Sequence, residues 1–192
     1  NSRTFDYVIR RELELAEGDP IYDSQIERVS NKLKSLNLFK SVEIVENELD
    51  NNFENLEINV EEKQTGTVNA GVSVGTLDGF AVIAGLSERN FYGTGRSLKA
   101  LINTSEDKTE FTFQTNDRLF YENDVDINYK ANFKEEDFSK TSSYNLDTFS
   151  TGVGLGYNIN QKIRHNINLD YVIKDYAITN NSTVSSSILN SA

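Results

Sequence analysis

Catalysis and metal binding need a few side-chain types at workable spacings, and this chain holds few of them. His165 is the only histidine and there is no cysteine, which removes thiolate nucleophiles, Cys-based zinc sites and disulfides. A Ser-His-Asp triad is conceivable in count, but no nucleophile elbow or oxyanion motif accompanies His165. It reads as a surface or interface histidine near a turn. Glu135-Glu136-Asp137 resembles a metal-binding cluster only in charge and reads as a solvated loop. Gly93-Thr94-Gly95 lacks the remaining glycine and the helix of a dinucleotide loop, and a tight turn explains it. The sequence therefore assigns no catalytic residue, no cofactor site and no metal site, and it does not read as an enzyme.

Composition narrows the partners. The 192 residues carry 30 acidic against 19 basic side chains, a formal charge of −11. Nucleic-acid binding by counterion release needs clustered Lys and Arg, so nucleic acid is not an expected partner. The chain has no methionine, and Asn1 reads as a processed or cut end. No run approaches the roughly 20 apolar residues of a membrane-crossing helix, the longest being Phe80 to Leu86. A transmembrane β-barrel stays open, because alternating strands keep bulk hydropathy low.

The positions that recur define two kinds of element. Phe5, Val8, Ile9 and Leu13 make one helical stripe, and Ile26, Val29, Leu33 and Leu36 a second. Gly18 and Asp19-Pro20 separate the two helices, and Ser24 with Glu27 has capping-box spacing. Val42, Ile44, Leu56, Ile58 and Val60 then alternate as strand, turn and strand. From Gln64 the period changes to two. Val68, Ala70, Val72 and Val74 open a series of about seven strands, each of roughly 9 to 11 residues, the length a tilted strand needs to cross a bilayer. The strands are expected near 66–76, 80–88, 96–104, 109–116, 124–134, 149–159 and 163–174, with Asp78-Gly79 as a hairpin signal. In the clearest of them Val125, Ile127, Tyr129, Ala131 and Phe133 alternate with Asp126, Asn128, Lys130, Asn132 and Lys134. A soluble antiparallel sandwich would alternate in the same way. A polar face charged over its full length favours a barrel with a wet lumen. The Ser- and Asn-rich tail from Thr179 to Ala192 reads as an exposed loop.

Five stretches, in two groups, carry a resemblance. Arg3-Thr4-Phe5-Asp6-Tyr7-Val8-Ile9-Arg10-Arg11-Glu12-Leu13, Glu17-Gly18-Asp19, and Leu33-Lys34-Ser35-Leu36-Asn37-Leu38-Phe39-Lys40-Ser41-Val42 resemble the polypeptide-transport-associated (POTRA) repeat. Glu61-Glu62-Lys63-Gln64-Thr65-Gly66 and Leu86-Ser87-Glu88-Arg89-Asn90-Phe91-Tyr92-Gly93-Thr94-Gly95-Arg96 are similar to the junction and first hairpins of the POTRA-plus-barrel outer-membrane superfamily.

The resemblance implies an α+β POTRA domain over residues 1–63, laid out as helix, helix, strand, strand with its first strand missing. An incomplete antiparallel transmembrane barrel would follow over 64–192. Only Asn1 and Ser2 precede Arg3, about seven strands cannot close a barrel, and the family's Val-Arg-Gly-Phe loop motif is absent, so the chain is expected to be a fragment at both ends. It further implies an outer-membrane location with the POTRA domain in the periplasm, and insertion of barrel proteins as the activity. A translocation pore of the same superfamily, of the two-partner-secretion type, is the alternative. Implied partners are unfolded outer-membrane proteins, accessory assembly lipoproteins and outer-membrane lipid.

Two strand edges would do the work. Ser41, Val42, Glu43, Ile44, Val45 and Glu46 form the POTRA edge, able to accept an extended segment by β-augmentation. Glu43 and Glu46 would also suit an ordinary edge blunted against pairing. Gly66, Thr67, Val68, Asn69, Ala70, Gly71, Val72, Ser73, Val74 and Gly75 form the strand at a lateral seam. Its glycines would either ease unzipping or relieve crowding in a curved sheet.

Overall fold

The computed structural model describes residues 3–13, 15, 18–49, 53–75, 79–118, 125–160, 162–180 and 184–189. Glu17 of the first resemblance, Asp78 of the expected hairpin turn and the turn near residue 120 lie outside them. The chain separates into two units, Asn1–Gly66 with Arg89–Arg96, and Thr67–Glu88 with Ser97–Ala192.

The first unit runs α1 (Asp6–Arg10), α2 (Asp23–Ser35), β1 (Phe39–Leu49) and β2 (Phe53–Glu62), and closes with a 3₁₀ turn at Phe91–Gly93. Val8, Val29, Leu33, Leu38 and Phe39 form its buried core, with Val42, Ile44, Ile58 and Val60 packed against it. Both helical stripes and both strand alternations point there. Two details differ from the sequence expectation. Phe5 does not join the core: it precedes α1 and stays half exposed, its N–H bonded to the Gly93 carbonyl at 2.9 Å. The box at α2 is not made by Ser24 and Glu27. The helix begins two residues earlier than that box would set it, at Asp23, and Gln25 Oε1 accepts the Tyr22 N–H at 3.0 Å. A cap works by spacing from the first helical residue, so the two-residue shift transfers the role to Tyr22 and Gln25.

The second unit is a single antiparallel sheet in sequence order, β3 (Gly66–Gly75), β4 (Gly79–Glu88), β5 (Ser97–Ser105), β6 (Lys108–Asp117), β7 (Val125–Asp137), β8 (Tyr144–Asn160) and β9 (Ile163–Ile178). It is not closed, and β3 and β9 are its two edges. Directly opposed residues share a face, so the strand registers define the faces of β4–β9. One face carries Leu86, Ala100, Phe113, Ala131, Thr151 and Tyr171 in one row, and Ile102, Phe111, Phe133, Phe149 and Ile173 in the next. The other carries Lys99, Gln114, Lys130, Gly152 and Asp170.

β7, β8 and β9 run to 13, 17 and 16 residues, beyond the expected bounds. The extra length overshoots the apolar band. One row past Phe111–Phe133–Phe149–Ile173 the same face reads Thr109, Glu135, Asp147 and Asp175. Backbone pairing continues there without apolar side chains because Phe138, Tyr144 and Tyr176 stack at 5.1 and 5.8 Å across the end of the hairpin. Glu135-Glu136-Asp137 is therefore the end of β7, not a loop. The tail also departs from expectation: Val184 is buried and Ser186–Leu189 form a helical turn, α3.

Candidate functional site: unpaired strand edges

β1 pairs with β2 alone among the described residues, from Phe39 opposite Glu62 to Leu49 opposite Phe53. Alternate residues of β1 therefore turn their N–H and C=O groups away from β2. Within the predicted segment Val42 and Ile44 face the core, whereas Ser41, Glu43 and Glu46 are exposed. The segment is an edge strand with a greasy inner face and an acidic outer one. Its register is held at one end by Lys40, whose ammonium contacts Glu61 at 2.7 Å, while Ser41 Oγ donates to the same carboxylate at 3.3 Å. The hydrogen bond and the attraction of Lys40 hold the Glu61 carboxyl below the usual carboxylate range, and Glu61 raises Lys40 in return.

The ten residues Gly66–Gly75 emerge as one strand, β3, at the edge of the large sheet and exposed throughout. They follow β2 after only Lys63, Gln64 and Thr65. Space around Gly71 discriminates between the two roles offered for its glycine: a Cβ there would meet nothing within 4 Å. Crowding does not require this glycine. It thins the strand beside a hollow of about 280 Å³ that also touches Asn69, Ala70, Ile83, Gly85 and Leu101. At Gly85 the case is reversed, since a Cβ would stand 3.1 Å from the Leu101 side chain.

The sheet's other polar features hold structure. On β8, Gly152, Gly154 and Gly156 form a stripe on the polar face, and the side chains of β7 and β9 close over it. Lys130 meets Asp170 at 2.8 Å above Gly152, and Arg164 pairs with Asp126 above Gly156. Strand alternation alone showed small residues here, not the ion pairs that need them small. His165 is exposed on β9 with its Nδ1 2.9 Å from the Tyr157 hydroxyl. No group of three or more metal-ligating side chains converges among the described residues.

An antiparallel sheet with apolar rows on one face, charges on the other and a first strand whose outer edge is unpaired, preceded by a small α+β unit, is the pattern of a transmembrane barrel with an accessory domain. The Omp85 superfamily domain matches residues 90–190, and the POTRA domain, described as surface antigen variable number repeat, matches residues 1–63. The chain belongs to the Omp85 superfamily and comprises a POTRA segment and part of an Omp85 barrel. Among curated relatives it is similar to the outer membrane protein assembly factor BamA of Buchnera aphidicola, 28% identical over 92% of this chain and 27% of that protein. BamA of Neisseria meningitidis is 25% identical over 88% of this chain and 22% of the relative. The chain thus spans about a quarter of the length of the relatives it matches. Among solved structures it resembles BamA from Haemophilus ducreyi lacking POTRA domains 1-3, with a TM-score of 0.77 at 22% identity, covering 92% of this chain and 34% of that one. CdiB from Acinetobacter baumannii aligns with a TM-score of 0.61 at 13% identity, over 91% and 37% of the two chains.

Proposed function

We propose that this chain is the POTRA-to-barrel portion of a BamA-like factor that assembles β-barrel proteins into the outer membrane, with residues 1–63 in the periplasm and 64–192 contributing the first barrel strands. The observation that carries the reading is β3: a fully exposed, glycine-thinned edge strand separated from a POTRA unit by three residues. An incoming client strand would pair with β3 through main-chain hydrogen bonds, while its side chains find the same apolar-out alternation the sheet already has. Ser41–Glu46 would hold an extended client or accessory lipoprotein segment in the periplasm. The machine makes and breaks strand pairs, not covalent bonds, and uses no cofactor. Its apolar face would meet outer-membrane lipid.

Relatives named as assembly factors support this over a translocation pore or the TamA-like branch, for which the same edge would serve. The test is cross-linking in the full-length protein, with cysteines at Asn69 and Ser73 on β3 and a control at Ser150 in the middle of the sheet. A stalled substrate should give adducts at 69 and 73 and none at 150. Consistent failure at both seam positions, with the barrel folded, would sink the seam role.

A further inference from the structure

The turn Arg89–Arg96 joins β4 to β5, yet it is built into the first unit. Asn90 Nδ2 donates to Thr4 Oγ1 at 2.7 Å and Asn90 Oδ1 accepts the Gly95 N–H at 2.8 Å, both partners being buried or half-buried. The Tyr7 hydroxyl donates to the Thr94 carbonyl at 3.2 Å, and the Phe5 N–H to Gly93 at 2.9 Å. Gly93 and Gly95 take positive φ, 78° and 71°, and a Cβ at Gly95 would stand 2.7 Å from Val8.

The result is two aromatic pairs tied into one unit and left outside its core. Phe5 stacks with Tyr7 at 6.0 Å, and Phe91 meets Tyr92 edge-on at 4.5 Å. All four are exposed, Tyr92 by 79%. Tyr92 also sits at φ 51°, ψ 25°, a left-handed conformation that a bulky residue adopts at a cost of order 1–3 kcal/mol. A folded domain gains nothing in water from holding a strained tyrosine in solvent. The two segments that carry these rings, residues 3–13 and 89–96, hold Arg3, Arg10, Arg11, Arg89 and Arg96 against Asp6 and Glu12 in a chain of net −11, with the Glu62 carboxylate accepting the Thr4 N–H beside them. Arg10 is paired with Asp6, and Arg3 and Arg89 are exposed.

We infer that this surface docks on the phospholipid interface of the membrane that holds the sheet, with Phe91 and Tyr92 seated among the headgroups and the arginines against their phosphates. Tyrosine and its neighbours suit that layer because one end of the ring is apolar and the other wet, and cations near an anionic surface add to the attraction. Chain connectivity places the turn within reach. Leu86, on the apolar face, is five residues from Phe91, a span of at most about 17 Å when extended. The proposal rests on the membrane reading of the sheet.

The full-length protein, reconstituted in vesicles of phosphatidylethanolamine and phosphatidylglycerol, would carry an environment-sensitive fluorophore at a single cysteine, with a nitroxide lipid as quencher. Phe91→Cys and Tyr92→Cys test the surface, Leu169→Cys reports the apolar face and Tyr22→Cys an exposed site elsewhere on the first unit. Strong quenching at 91, 92 and 169 with none at 22 is the expected result. Quenching at 169 with 91 and 92 as wet as 22 overturns the docking surface and leaves the barrel reading standing. An unquenched 169 overturns both. Should Tyr92→Cys fail to insert, Phe91→Cys answers the same question. Exchanging phosphatidylglycerol for phosphatidylcholine should weaken quenching at 91 and 92 and leave 169 unchanged; equal quenching in both lipids would remove the arginines from the interaction.

Discussion

The first unit and the large sheet obey opposite rules with the same twenty amino acids. Leu33 and Val8 are fully buried, and the stripes of α2 and β1 converge on them. Among the described residues of the sheet only Ala81 and Ile127 of the apolar side chains are buried, while Val68, Val74, Leu169 and Tyr171 are more than half exposed. Hydrophobic burial accounts for the first unit. It cannot account for the second in water, where an apolar surface of this extent would aggregate. The difference teaches that the two regions are written for two solvents, and the predictions below probe that contrast from its strongest consequence to its weakest.

Leu33→Ala should have the largest effect. It removes a side chain with no exposure from a core of a few residues, and such truncations cost about 2–5 kcal/mol including the cavity. The loss should be local, read as faster amide exchange in α2 and β1 with β6–β8 unchanged. Equal deprotection of the sheet would show that the two regions do not fold on separate grounds.

Next comes Leu169→Arg. Leu169 is 71% exposed in the middle of the apolar stretch of β9. On a water-facing surface an arginine there would be nearly neutral, but at the midplane of a bilayer it costs about 2–4 kcal/mol. Folding into vesicles, followed by denaturant titration, decides between them. An unperturbed midpoint would turn the sheet back into a water-soluble one.

Much of this contrast was readable from periodicity. The helical stripes of α1 and α2 belong to the first unit and the long run of period-two strands to the second, and Val125–Lys134 alternates without a fault because every outward residue meets one medium. What stayed hidden depends on neighbours that sequence spacing cannot see. The extension of β7–β9 past the apolar band was invisible because Glu135, Asp147 and Asp175 break the alternation that defined the strand, while the pairing that continues is in the backbone. The glycines of β8 were legible as small residues, but their purpose lies in Lys130 and Asp170 on the strands either side. For the candidate edges, the sequence located β3 residue by residue since a strand after a linker is a local signal. It could not reveal the order of the strands beyond it, which is a fact of the sheet as a whole. The docking of residues 89–96 into the first unit was equally out of reach, as it joins positions some 86 apart in the chain.

The weakest effect should come from the Lys40–Glu61 pair, and its weakness is itself a test. Both side chains are more than half exposed, so solvent screens the attraction and little stability should depend on it. Its pH dependence has a definite sign. Glu61 is lowered by Lys40, so its contribution is present above the ordinary carboxylate range and disappears as pH falls through the lowered value. Lys40 is raised by Glu61, so its share is present below the ordinary lysine value and disappears as pH rises through the raised one. The pair is therefore complete across neutral pH and fades at both extremes. Glu61→Gln should make the first unit slightly easier to unfold at neutral pH, with the gap from the parent closing in acid and in high salt. Amide exchange at Ser41 and Val42 is the readout, since the pair fixes the register where β1 begins. If Glu61→Gln moved it as far as Leu33→Ala, a surface ion pair and not the apolar core would be holding this unit, and the opposition between a core-built domain and a coreless sheet would lose its first half.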